Sequence, residues 1–195
     1  MKRTLIYVSF SSLFLFSCGM GKNATNRTPK PAGETLLESY CSSDEYLSNN
    51  DYFRSTGIGE SMDQMTANKK ARSNAQSELA KTIKSTMQIV GDNYVKSSEV
   101  NNKEELTETF QEMSRTIVDQ ELVGAIKICE KYTKTAEGNY KCYMAIELSG
   151  SDILSKYNEK LSKDDQIKAD YNYETFKETF NEEMKKLEEK EKQKK

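Results

Sequence analysis

The order of apolar patterns along the chain predicts an α+β domain: a small antiparallel sheet built from a strand, a long helix, a second helix and a β-hairpin. The helices pack on one face of the sheet, and a C-terminal helical extension follows. Three observations predict it. Apolar residues recur every four positions between 61 and 95, the spacing of one helix face. Between 122 and 148 they recur every two, on either side of a Glu137-Gly138-Asn139 turn. The two prolines of the chain, Pro29 and Pro31, lie in a Gly-, Asn- and Thr-rich stretch that cannot bury a core, so the domain begins after it, near Tyr40.

The elements follow in order. Tyr52-Phe53-Arg54-Ser55-Thr56-Gly57-Ile58-Gly59 reads as a strand entered from the turn-rich Ser48-Asn49-Asn50-Asp51. The glycines at its end are expected to let the chain turn from strand into helix. Ser61 is the expected N-cap of a helix running to about Val95. Its stripe is Ala67, Ala71, Ala75, Leu79, Ile83 and Met87, then Val90 and Tyr94. Three alanines at the start of that stripe let the helix approach a sheet closely. Asn101-Asn102-Lys103-Glu104-Glu105 reads as a capped, acid-rich helix start, continued on one face by Leu106, Phe110, Met113 and Ile117.

In the hairpin, Leu122, Ile126, Ile128 and Tyr132 fall on one side, with Lys127 and Lys131 on the other. Tyr140, Cys142, Met144, Ile146 and Leu148 alternate back. A short helix is expected from about Asp152 to Leu161. A last one begins near Asp164, with Ile167, Tyr171, Phe176, Phe180, Met184 and Leu187 along one side. Its final residues, Glu188 to Lys195, are all charged or amide and are expected to fray into solvent.

The first residues carry a different kind of signal. Lys2 and Arg3 precede an apolar run, Leu5 to Phe16, with the length of a secretory h-region and too short to span a bilayer. The run ends Leu15-Phe16-Ser17-Cys18, which resembles the lipobox of lipoprotein signal peptides. Leu at −3 and Ser at −1 fit that motif, and Phe16 at −2 is bulkier than its usual residue. The resemblance implies diacylglyceryl transfer to Cys18, cleavage before it, and usually acylation of the new N-terminus. Two or three acyl chains suffice for stable anchoring without a transmembrane helix. Residues 1–17 are thus a signal peptide, and 18–39 a lipidated N-terminus and tether. Rich in Gly, Asn, Thr and Pro, that tether has a reach of roughly 25 Å by random-coil scaling. Met20-Gly21-Lys22 after the anchor holds no acid, which by resemblance to sorting patterns favours the outer membrane, facing the periplasm.

Residues 40–150 form the domain and 151–195 its helical extension. Between about 50 and 150 the chain resembles the membrane-associated lipoprotein-twenty (LPP-twenty) family. The residues that carry the resemblance are Tyr52 to Ser61 with Gly57 and Gly59, the run Ala67, Ala71-Arg72, Ala75, Leu79-Ala80, and the closing Tyr140 and Tyr143 to Leu148. The family implies a compact α/β domain in an envelope lipoprotein. It brings no agreed catalytic residues, and some relatives are associated with outer-membrane assemblies.

Composition narrows the chemistry. The chain has no histidine, which removes Ser-His and Cys-His nucleophilic sites and most zinc sites, and no tryptophan for a stacking platform. Its formal charge is −2, and cleavage before Cys18 would remove two cations and no acid. Nucleic acid is therefore not an expected partner. Gly57-Ile58-Gly59 has the opening of a dinucleotide fingerprint, but the third glycine falls at Met62 and no βαβ unit follows. Glu104-Glu105 and Glu182-Glu183 diverge around a helix and make no site. Asp44-Glu45 and Asp164-Asp165 lack the spacing of a calcium loop. No cofactor or metal is expected.

Beyond Cys18 there are three cysteines, Cys41, Cys129 and Cys142. Cys129 and Cys142 occupy opposite arms of the hairpin, and alternation puts them on opposite faces. Unless a bulge reverses one arm, Cys41 is the better disulfide partner for either. The expectation is a non-enzymatic envelope lipoprotein with a structural or assembly role. It would act through an envelope protein partner or self-association. The rings of the terminal helix, Tyr171, Tyr173, Phe176 and Phe180, are expected to pack on their own domain, with a partner contact as the second reading. The alternative is a small-ligand carrier with a pocket between the long helix and the sheet.

Overall fold

A computed structural model describes residues 39–97, 103–165, 167–169 and 171–193. Among them the fold is α+β, four helices and a three-stranded antiparallel sheet. In chain order they are β1 (Tyr52–Ser61), α1 (Gln64–Ser97), α2 (Lys103–Glu121), β2 (Ile126–Lys134), β3 (Tyr140–Ser149), α3 (Gly150–Leu161) and α4 (Tyr173–Gln193). The strand order is β1-β3-β2, so the hairpin's second arm is central.

The helix α1 crosses the inner face of the sheet, and Ala67, Ala71 and Ala75 are fully buried there. Opposite them stand Gly57 and Gly59. A Cβ on Gly57 would lie 2.3 Å from the Ala71 carbonyl oxygen, and one on Gly59 2.2 Å from that of Ala67. The helix backbone thus rests almost directly on the strand, at a distance only glycine permits. Ser55 Oγ donates to the Ala75 carbonyl across the same seam, at 2.7 Å. This corrects the turning role expected of these glycines: β1 continues past them to Ser61, and neither has a left-handed φ. Nor is Ser61 the N-cap. Asp63 is: its Oδ1 accepts from both the Thr66 amide and the Thr66 hydroxyl at 2.8 Å.

Past the alanines the stripe grows larger, and α2 and α4 pack on α1. Tyr94, Phe110, Tyr157, Tyr171 and Phe176 form an aromatic cluster with ring centroids about 6 Å apart. Phe176, Phe180 and Met184 are buried in the same core as Phe53 and Leu79. The helices after residue 150 are therefore part of the domain's core.

Helix α4 begins at Tyr173, not near Asp164; its cap is Asn172, whose Oδ1 accepts from the Thr175 amide at 3.1 Å. The segment before it forms turns, which still bury Ile167. The charged end remains helical through Gln193, with Lys192 paired to Glu188.

The outward-facing edge of β1 is occupied by side chains. Asn49 Oδ1 accepts from the Tyr52 amide, and the Ser48 hydroxyl bonds both the amide and the carbonyl of Arg54. Further along, Asn74 and Lys70 of α1 donate to the carbonyls of Ile58 and Glu60, at 2.8 and 3.0 Å.

Candidate functional site

Among the described residues the outer face of the sheet carries no α-helix. It is crossed by a strap, residues 39–47, containing a single 3-10 turn at Asp44–Tyr46. Two devices hold the strap down. Cys41 is disulfide-bonded to Cys129 of β2, with their Cα atoms 5.7 Å apart. Arg54 binds the Glu147 carboxylate through Nε at 2.8 Å and donates from Nη1 to the Glu45 carbonyl at 3.0 Å. Under the strap lies a small cluster separate from the main core: Cys41, Cys129 and Ala145, with Tyr46, Ile128 and Tyr143 against them. Tyr40 packs edge-on to Tyr143 at 5.3 Å. Cys41 has a φ of 56°, in the left-handed region that costs a non-glycine residue about 1 kcal/mol.

The third cysteine lies on the other side. Cys142 is fully buried on the inner face, and its thiol is free. The register explains why. Cys129 opposes Ala145 and Tyr132 opposes Cys142, with a bulge between Lys127 and Cys129. The bulge overturns the facing expected for the start of β2, while past it Cys129, Lys131 and Tyr132 keep the faces expected of them. Lys127 opposes inward-facing Ile146 while Ile126 opposes Glu147 and is 58% exposed; past the bulge Tyr132 shares the inner face with Cys142.

This slip assembles a polar group that no sequence spacing reveals, because its members come from α1, β2 and β3. Asn68 of α1 donates to Glu130 Oε1 at 2.5 Å and to the Tyr132 hydroxyl at 2.7 Å. Lys127 Nζ holds the other Glu130 oxygen at 2.7 Å, and the Cys142 sulfur is 4.0 Å from the Asn68 amide nitrogen. The hydrogen bond from Lys127 lowers the Glu130 carboxyl pKa, and burial raises those of Cys142 and Tyr132. A thiol pushed up in this way stays protonated at neutral pH and is a poor nucleophile. What the group does physically is tie the hairpin to α1.

The remaining sequence candidates are placed as follows. Cys18 lies outside the described residues, as do Asn101 and Asn102. Gly57, Gly59, Ala67, Ala71 and Ala75 make the helix–sheet seam. At that seam the backbones touch, so the pocket a carrier would need between the long helix and the sheet is closed there. Cavities open instead between helices. One of about 490 Å³ between α2 and α3 is lined by Glu112, Glu121, Lys156 and Lys160, and one of about 300 Å³ lies between α1 and α4. Tyr171, Phe176 and Phe180 pack on their own domain, the reading expected ahead of a partner contact.

Among the described residues no cluster of His, Cys, Asp or Glu has the arrangement to hold a metal ion, and no helix is long and apolar enough to cross a membrane. No protein-family model matches the chain, and no curated protein matches it significantly.

Proposed function

We propose that this chain is a cell-envelope lipoprotein of the LPP-twenty kind, anchored by lipid on Cys18 to the outer membrane and facing the periplasm. It acts by protein–protein contact, with an envelope partner or a second copy, and not by catalysis. The observation that carries the reading is the Cys41–Cys129 cross-link, in a chain whose first residues end a secretory h-region on a cysteine. Such a bond belongs to an oxidising compartment, which the proposed export would reach. Two further features support it. The Gly57 and Gly59 contact with the alanine stripe is made by the residues that carry the family resemblance. A chain without histidine, whose buried free thiol is held protonated, has little with which to activate a nucleophile.

The test is Cys18→Ala in a bacterial host, read by incorporation of a labelled fatty acid and by membrane fractionation. The variant should lose the label and leave the membrane fraction; unchanged mass and fractionation would refute the anchor. The contact role is read by crosslinking the anchored protein in cells, and recovery of monomer alone counts against it.

A further inference from the structure

The strap covers only part of the outer sheet face. It runs from Tyr40, beside Tyr143, toward the Arg54 end, and takes its own acids, Asp44 and Glu45, in that direction. Toward the hairpin tip the strap ends over Tyr143, so one cross-strand row lies at its border and a second lies beyond it. In antiparallel pairs opposed residues share a face. One row is therefore Ile58, Tyr143 and Lys131, and the next Glu60, Lys141 and Thr133. Ile58 is 44% exposed and Tyr40 56%, and Lys131 is exposed. Lys141 Nζ stands 5.7 Å over the Tyr143 ring. Glu60, the acid in these rows, accepts a hydrogen bond from Asn139.

Rings with polar tips beside long-stemmed lysines suit a lipid headgroup layer, where each apolar body is shielded and each charge stays wet. The path of the chain selects the same surface. The described residues begin at the strap, on this face, and an unstructured stretch from Cys18 to it would have a reach of roughly 25 Å. A domain of this size is about 40 Å across. Turning the helical side to the membrane would force the tether around that distance, whereas the outer sheet face needs no detour.

We propose that the part of the outer sheet face left uncovered among the described residues, bearing Ile58, Lys131 and Lys141 with Tyr40 of the strap at its border, rests on the anionic headgroups of the membrane that holds the lipid. The proposal depends on the anchored reading above. Near such a surface each lysine favours the docked orientation by about fivefold.

The absence of tryptophan makes a direct test available. The lipidated full chain is prepared as Ile58→Trp and, for the helical side, as Tyr173→Trp. Each is reconstituted into phosphatidylethanolamine–phosphatidylglycerol vesicles containing a nitroxide-headgroup lipid. The Ile58→Trp reporter should be quenched more strongly than the Tyr173→Trp reporter. The difference should shrink in high salt and on adding Lys131→Glu with Lys141→Glu. Equal quenching in protein that floats with the vesicles overturns the docking surface and leaves the anchor standing. Protein that does not float overturns the anchor, and the docking surface with it. Should Ile58→Trp disturb β1, Tyr40→Trp on the strap reports the same face.

Discussion

Adding one methyl group at Gly59 should cost more stability than any other glycine-to-alanine change in the described domain except its neighbour at Gly57. The new Cβ would sit 2.2 Å from the Ala67 carbonyl oxygen and 2.4 Å from the Ala71 amide nitrogen. Restoring an ordinary contact requires α1 and β1 to separate by about 1 Å, and both offending atoms are backbone, so no side chain can turn aside. The separation would also loosen Ser55 from the Ala75 carbonyl. Overpacking of a filled core costs about 1–3 kcal/mol and occasionally more; this site belongs at or above the top of that range.

The other glycines calibrate the argument. At Gly91 the nearest atoms are those of the Phe110 side chain, at 2.9 Å, and the ring can shift. The strain there is partly offset by the roughly 1 kcal/mol that alanine contributes over glycine inside a helix. At Gly138 nothing lies within 4 Å, but its φ of 89° makes alanine cost about 1 kcal/mol. Urea unfolding followed by far-UV circular dichroism would rank Gly57→Ala and Gly59→Ala first, with unchanged denaturant dependence. If either cost no more than Gly138→Ala, the account of the helix–sheet seam would be wrong.

Four further outcomes are expected. The Tyr157 hydroxyl is buried among aromatic rings without a hydrogen-bond partner, so Tyr157→Phe should leave stability unchanged or raise it by about 1 kcal/mol in the same unfolding assay; a clear loss would mean the hydroxyl has a partner. Cys41→Ser opens a cross-link between residues 88 apart in sequence and should cost up to about 4 kcal/mol in thermal or urea melts. In the oxidised protein with Cys18 lipidated as proposed, Cys142 should resist alkylating reagents until the protein unfolds, then give one labelled thiol by mass spectrometry. The Glu130 carboxyl is held below its ordinary value of 4.5, chiefly by Lys127. Its contribution is therefore present above that value and lost as pH falls through the lowered one. Glu130→Gln should flatten the acid limb of the stability profile, and an unaltered limb would show that the ion pair does not contribute.

How far the fold could be read beforehand depended on whether the chain kept a constant period. Tyr140 to Leu148 alternate without interruption, and β3 lies where alternation put it. The bulge at Lys127–Cys129 defeats the same reasoning in β2. Ile126, Ile128 and Tyr132 keep an even spacing, and the extra residue that puts Ile126 and Tyr132 on different faces leaves no compositional mark. The polar group around Asn68 was illegible for the same reason.

Ile167, Tyr171 and the later aromatics share near-helical spacing, which hides the break that Asn172 caps. The alanines point to close packing, but the matching glycines read equally well as a turn. A strand that lies against a helix backbone and one that is about to turn both select glycine. Pattern could weigh Cys41 against Cys129 and Cys142 but could not supply the path of the strap, which has almost no regular structure.

The side chains along the outward edge of β1 have a consequence for a protein held at a surface. Confinement to two dimensions raises encounters between copies, and a ten-residue strand with open amides and carbonyls would template growth from sheet to sheet. Here Asn49, Ser48, Asn74 and Lys70 already occupy hydrogen-bonding positions along that edge. Copies held at high density on a membrane, as proposed above, would therefore resist fusion through β1 into fibrils, which leaves β2, the sheet's other edge, and contacts between faces as the routes to assembly.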